Sequence, residues 1–154
     1  HISPIARQII EKGKDWKLWV LCDRDPVSNW VDGRVALLGD AAHPMLQYFA
    51  QGACMAMEDA VCLSAEMEQH GGNLEQALSN YQAKRLMRTA RVQLQSREIG
   101  QHIYHASGAH AELRNMVMSS RQPDEWYDQV EWLYGSTGLE GAVSSETKKR
   151  PIAF

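Results

Sequence analysis

Apolar and polar positions alternate in blocks that predict a mostly helical chain with a few short strands. Ile5, Ile9 and Ile10 fall on one side of a short helix that Ser3-Pro4 opens and Gly13 stops. Trp16 to Cys22 is aromatic and aliphatic, which predicts a strand. Asp32-Gly33 is a turn signal. The run Val35 to Leu38 behind it predicts a second strand, buried on both faces as in parallel sheets. A helix is predicted from about Gln51 to Gln69, with Ala53, Ala56 and Ala60 keeping one face thin and Leu63 and Met67 extending the stripe. Asn73 caps a long helix from Leu74 towards Ile103, with Leu74, Leu78, Tyr81, Leu86, Ala90 and Leu94 as its packing face. Gly108 breaks the pattern, and a short helix follows around Ala111 to Met118. Pro123-Asp124-Glu125 opens the next, with Trp126, Val130 and Leu133 on one stripe before Gly135 ends it. Residues 136–154 lack periodicity and predict a loose tail.

The residues that promise chemistry sit between the second strand and the helix after it. Gly39-Asp40 ends the apolar run, Ala41-Ala42-His43-Pro44 makes a stiff loop, and Gln51-Gly52-Ala53 opens a helix of small residues. Gly39 allows close backbone approach. Asp40 stands where open α/β sheets bind ligands, and a carboxylate there accepts hydrogen bonds from sugar-like hydroxyls. The first N–H groups of the helix lack intrahelical partners and favour negative charge on a ligand. An ordinary strand-to-helix crossover also fits these residues taken singly.

The whole string is more specific. Gly33-Arg34-Val35-Ala36-Leu37-Leu38-Gly39-Asp40-Ala41-Ala42-His43-Pro44, continued by Leu46-Gln47-Tyr48 and Ala50-Gln51-Gly52-Ala53, resembles the second flavin-contact motif of single-component FAD-dependent aromatic hydroxylases. That group includes salicylate hydroxylases and the 3-hydroxybenzoate 6-hydroxylase branch. The resemblance takes in Trp19 to Pro26 upstream, and Tyr81, Arg85, Arg91, Gln93 and Ser96 downstream, so it covers most of residues 1–135.

This resemblance implies a parent enzyme that inserts oxygen from O2 into a phenolic aromatic acid, with FAD as cofactor and NAD(P)H as co-substrate, through a flavin hydroperoxide. Within this chain it implies cofactor contacts at Gly39, Asp40, Pro44, Gln51, Gly52 and Ala53. Pro44 and Gln47 are implied at the reacting centre, with Gln47 touching the substrate. Asp40 is implied to accept from a ribityl hydroxyl, and the carbonyl of Pro44 to shape the oxygen pocket. His43 is implied to be structural, bonded to backbone. A loop amide satisfied by backbone is the alternative for Gln47.

The chain begins at His1 and contains no Gly-x-Gly-x-x-Gly, the turn with which this family holds the ADP half of FAD. The expectation is therefore an α/β fragment, mostly helical. It would be the C-terminal portion of an FAD/NAD(P)-binding Rossmann-type monooxygenase lacking its N-terminal half, and inactive alone. Residues 1–32 would end the substrate-domain sheet, 33–135 would form the C-terminal part of the FAD-binding domain, and 136–154 the tail. The missing half is the implied partner, and a homodimer stays open. Another FAD-linked oxidoreductase on the same scaffold, or a non-catalytic helical interaction module, are the competing readings.

Composition narrows the rest. Net charge is −3 over 154 residues, which gives no electrostatic case for nucleic acid. No apolar run reaches membrane-spanning length. Cys22, Cys54 and Cys62 lack metal-like spacing and read as thiols in a reducing cytoplasm. His102, His105 and His110 have no acidic residue to complete a metal site, so none is expected. Lys84, Arg85, Arg88, Arg91 and Arg97 read as a solvated helix face that pairs with acids elsewhere. Glu58 and Asp59 are suited to holding backbone or arginine side chains.

Overall fold

Two helices carry the architecture, and a buried cluster of charge locks them together. The computed structural model describes residues 2–139. Helix α1 spans Pro4–Lys12, and Ser3 caps it by accepting from the Ala6 N–H at 3.2 Å. Strands β1 (Val31–Asp32) and β2 (Val35–Ala36) form a two-stranded antiparallel hairpin with Val31 opposite Ala36. Helix α2 covers Gly52–Gln69 and α3 covers Leu74–Ile99. A π-helical turn, Gly100–Tyr104, continues α3. Helices α4 (Gly108–Ser120) and α5 (Pro123–Tyr134) follow. Asn73 caps α3 by accepting from the Gln76 N–H at 3.2 Å. Gln122 and Glu125 form a reciprocal box at the start of α5.

The hydrophobic core has two parts. Trp30, Ala42, Cys62 and Tyr81 pack where the hairpin meets α2 and α3. Met55, Val92 and Leu133 pack where α5 closes on the same helix pair, with Phe49 and Trp132 against them. The Gln82 side-chain carbonyl on α3 accepts from the backbone N–H groups of Trp30 and Val31, which pins the hairpin to the helix.

Three expectations are corrected here. Val35 to Leu38 is not a doubly buried parallel strand: only Val35 and Ala36 pair, antiparallel, and Val35 is 67% exposed. Trp16 to Cys22 forms no ladder, and Leu18 within it is 98% exposed. The physical reason is common to both. Apolarity equips a strand for burial, but burial needs neighbours on both sides, and among the described residues only β1 and β2 pair. The third correction concerns α3. Its buried side chains include Arg85, Thr89, Gln93 and Ser96, while Leu94 is exposed. Carboxylates of α2 hold Arg85 inward, while Gln93 is held by the loop carbonyls of Arg24 and Pro44 and Thr89 bonds back to its own helix. The rest of the tail, residues 140–154, lies outside the described residues. Among the described residues no helix is long and apolar enough to cross a membrane.

Candidate flavin site

The loop from β2 to α2 is built from two tight turns. Gly39 enters the first, a single 3-10 turn over Gly39–Ala41, at φ +58. A side chain there would be strained by that backbone angle, and its Cβ would stand 3.2 Å from the Ala56 methyl. The second turn, Gln47–Phe49, closes with the Ala50 N–H donating to the Gln47 carbonyl at 2.9 Å. Helix α2 then starts at Gly52.

Between these turns and the start of α2 lies an open cavity of about 530 Å³, lined by Asp40, Met45, Leu46, Gln47, Ala50, Gln51, Gly52, Ala53 and Ala56. The first helical hydrogen bond of α2 is Met55 N–H to the Gln51 carbonyl, at 2.9 Å. The N–H groups of Gly52, Ala53 and Cys54 therefore precede the helical ladder. Gln51 does not cap them; its amide donates instead to the Tyr134 hydroxyl at 3.0 Å. A methyl on Gly52 would come within 3.9 Å of both Asp40 Oδ1 and Met45 Cγ, so the glycine keeps that wall thin.

Behind the cavity sits a buried ionic cluster, in which His43 Nδ1 alone lacks a hydrogen-bond partner among the His43, Asp59 and Arg85 side-chain atoms. Asp59 is fully buried. It accepts from the Gly39 N–H at 3.1 Å and from Arg85 Nε at 2.8 Å, and lies 2.5 Å from His43 Nε2. Burial pushes the Asp59 carboxyl up, but the hydrogen bonds from His43 and Arg85 outweigh it and hold the pKa below the ordinary value. Arg85, 1% exposed, also donates to Glu58 at 2.6 Å, and Arg88 donates to both Glu58 oxygens at 2.7 and 2.8 Å. Further along α3, buried Gln93 donates to the carbonyls of Arg24 and Pro44 at 3.2 and 3.1 Å. Arg24 in turn donates to the carbonyls of Ala41 and Ala42.

Most of the expected site residues meet at one place. Asp40, Gln47, Gln51, Gly52 and Ala53 line the cavity, and Gly39 is buried beneath it. Pro44 does not line it, and the Pro44 carbonyl has an internal partner in Gln93. The side chain of His43 bonds to a carboxylate rather than to backbone, because α2 places Asp59 within its reach. Sequence reasoning missed Gln93, Arg24 and Tyr134 as supports of the loop. A glutamine on the inward face of α3, four residues before a predicted arginine, carried no local signal of its target. Among the described residues no group of three His, Cys, Asp or Glu side chains suits a metal ion.

Residues 5–96 match the family model described as FAD binding domain. The chain belongs to this family. It is 54% identical over 132 residues to 3-hydroxybenzoate 6-hydroxylase 1 of Aquipseudomonas alcaligenes, covering 86% of this chain and 33% of that protein. It is 51% identical over 134 residues to 3-hydroxybenzoate 6-hydroxylase of Polaromonas naphthalenivorans (strain CJ2), covering 87% and 33%. This FAD binding domain chain thus spans about a third of the length of these curated relatives. Among solved structures it is similar to Klebsiella pneumoniae HpxO complexed with FAD and uric acid, with TM-score 0.64 and 33% identity over 69% of this chain and 27% of that one. It is also similar to a salicylate hydroxylase substrate complex, with TM-score 0.54 and 32% identity over 82% and 32%.

The residues present fit part of FAD. Asp40 is exposed and makes no hydrogen bond within the described residues, so it is open to a ligand hydroxyl. The unladdered N–H groups of α2 suit an electron-rich ring edge. Gly52, Ala53 and Ala56 leave room for a flat ring against the helix. These features suit a flat ring and a polyol chain. The fingerprint for the ADP half is not in the sequence.

Proposed function

We propose that this chain forms the flavin-facing and substrate-facing wall of an FAD-dependent monooxygenase that hydroxylates a phenolic aromatic acid, 3-hydroxybenzoate-like, with O2 and NAD(P)H. One observation carries the reading. The cavity that joins Asp40 to the open end of α2 runs on to Gln47, in a chain about half identical to two proteins named 3-hydroxybenzoate 6-hydroxylase.

When bound, FAD supplies the redox and oxygen chemistry that no side chain carries. The residues of this chain bind and orient. Asp40 accepts a hydrogen bond from a ribityl hydroxyl. The N–H groups of Gly52 and Ala53 face the ring edge that gains charge on reduction, a preorganised electrostatic support. Gln47 holds a polar group of the aromatic acid through its neutral amide, which leaves the acid's charge state unchanged. Pro44, fixed from behind by Gln93, sets the path of the loop past the ring. Met45 and Leu46 keep that wall apolar and exclude water. The free thiols of Cys22, Cys54 and Cys62 accord with a reducing cytoplasm.

The test is purification of this chain joined to the N-terminal half expected to hold the ADP part of FAD, followed by NAD(P)H oxidation with 3-hydroxybenzoate, salicylate and urate; the flavin-loaded protein in every assay is that longer protein. A yellow protein whose NAD(P)H oxidation rises with 3-hydroxybenzoate, with a hydroxylated product, is expected. A colourless protein, or a flavoprotein that all three compounds leave unstimulated, ends this reading.

A further inference from the structure

The turn that carries Gln47 is gripped from outside the cavity, through its neighbour Tyr48. The ring of Tyr48 lies against Gly100, where α3 passes into the π-helical turn. Gly100 is buried and has ordinary right-handed backbone angles, φ −55 and ψ −52, so conformation does not require glycine there. Contact does: a Cβ on Gly100 would stand 2.4 and 2.5 Å from Tyr48 Cδ2 and Cε2. The π-helical turn then brings two more rings onto Tyr48. Tyr104 lies 5.4 Å away between centroids, and His105 lies 5.2 Å away edge-on. The Tyr48 hydroxyl shares a 2.5 Å hydrogen bond with His105 Nε2. π-helical turns are rare, and they recur near functional sites.

On the cavity side, Ala50 ends the same turn in the left-handed region at φ +53, ψ 32. A residue other than glycine holds that conformation only where its surroundings enforce it. Tyr48 is a rigid body with two side-chain torsions. Fixing its ring therefore narrows the backbone positions open to its neighbours, Gln47 included.

We propose that Gly100 and His105 are positioning residues that set where Gln47 stands in the cavity, acting through Tyr48. The role given to Gln47 rests on the reading above; the grip on the turn does not. The π-helical turn is a mould for the Tyr48 ring, and His105 fixes the ring's outer end. Neither residue lines the cavity.

The test uses the flavin-loaded protein with Gly100→Ala, Tyr48→Phe and His105→Ala, and with His105→Gln as the conservative variant that keeps a polar partner. Amide hydrogen exchange over residues 46–51 reads the turn directly, without turnover. Gly100→Ala is expected to speed that exchange by about tenfold or more, and Tyr48→Phe and His105→Ala by about threefold, with His105→Gln close to wild type. In turnover, Gly100→Ala is expected to raise KM for the aromatic acid about fivefold while kcat stays within about twofold. FAD loading is expected to be unchanged throughout. Wild-type exchange and wild-type KM in the folded variants overturn the proposal. So does loss of FAD together with equal loss in every kinetic constant, which marks general damage. If Gly100→Ala does not fold, Tyr48→Phe and the two His105 variants decide alone. If the wild type turns over no aromatic acid, the function reading falls, and the exchange comparison still decides the grip.

Discussion

Asp40 and Asp59 stand on the same loop-and-helix unit and lead opposite lives. Asp40 faces the cavity, exposed and without an internal partner. Asp59 is fully buried, two turns into α2, and its oxygens meet Gly39, His43 and Arg85. The same division separates two glutamines. Gln47 is exposed beside the cavity, whereas Gln93 is buried and spends its amide on two loop carbonyls. A polar group saturated inside the protein has no capacity left for a ligand; its energy goes into holding the frame. An unsaturated group at a cavity rim is where a ligand can gain a bond. Within each of these two pairs, one side chain goes to the frame and the other faces the cavity.

Breaking the frame should have the largest effect. Asp59→Ala removes the acceptor shared by buried Arg85, His43 and the Gly39 N–H and should cost about 3–5 kcal/mol of stability, since Arg85 keeps only Glu58 as a carboxylate partner. Urea denaturation of the flavin-loaded protein measures this, and a loss below about 1 kcal/mol would show the cluster to be dispensable. Protonation offers a milder route to the same break. The folded pKa of Asp59 lies below its unfolded value, so the unfolded chain binds more protons in the window between them. The stabilisation is full above the unfolded value, roughly pH 4, and is lost as pH falls through the lowered folded value. Glu66, held down chiefly by its hydrogen bond from Lys84, adds in the same direction. Stability should therefore fall on acidification, and Asp59→Asn should flatten that slope. An unchanged slope in Asp59→Asn would remove Asp59 from the acid response.

Asp40→Ala breaks the other side of the comparison. Loss of one hydrogen bond to a charged group is worth about 1.5–3 kcal/mol, or about 12- to 140-fold in FAD affinity. The frame should not notice, and urea stability without added FAD should stay within about 0.5 kcal/mol of wild type. Fluorescence titration with FAD on the apoprotein that includes the N-terminal half gives the first quantity. Full-strength FAD binding by Asp40→Ala would take this carboxylate out of the site.

Local patterns made most of the helices legible. Asn73 as a cap and Pro123 with two acids in the first turn are signals that a chain writes within four residues, and α3 and α5 start where they stand; Gly108, read as a break before a helix around Ala111, is instead the first residue of α4. The expected cavity residues were legible because a strand, a loop and a helix opening follow one another in sequence. What stayed hidden depends on distant partners. The Leu86–Leu94 stripe looked like the packing face of α3, but burial of Arg85 is decided by Asp59, 26 residues away. The seat of Tyr48 at Gly100 is set by a π-helical turn that no local pattern announces. The strand reading at Trp16–Cys22 failed, and that at Val35–Leu38 shrank to Val35–Ala36 in an antiparallel hairpin, on the same ground, because a strand is a statement about neighbours.

The smallest effect tests the subtler half of the comparison. Gln47 and Gln93 carry the same amide, one on the open side and one on the closed side. Gln47→Ala in the flavin-loaded protein removes one neutral hydrogen bond to substrate, about 0.5–1.5 kcal/mol, and should raise KM for the aromatic acid about 2- to 12-fold. Looser placement of the ring should also divert electrons, so more hydrogen peroxide should appear per NAD(P)H oxidised. FAD affinity and urea stability should barely move, because no bond of the frame is lost. Gln93→Ala should show the reverse order, with stability falling first as the carbonyls of Arg24 and Pro44 lose a buried donor. The two variants compared in one set of assays decide the matter. If Gln47→Ala leaves KM and peroxide yield at wild-type values while weakening FAD, then Gln47 belongs to the cofactor's side of the cavity. If it instead destabilises the fold as Gln93→Ala does, the division between open and saturated groups fails at this loop, and Gln47 is part of the frame.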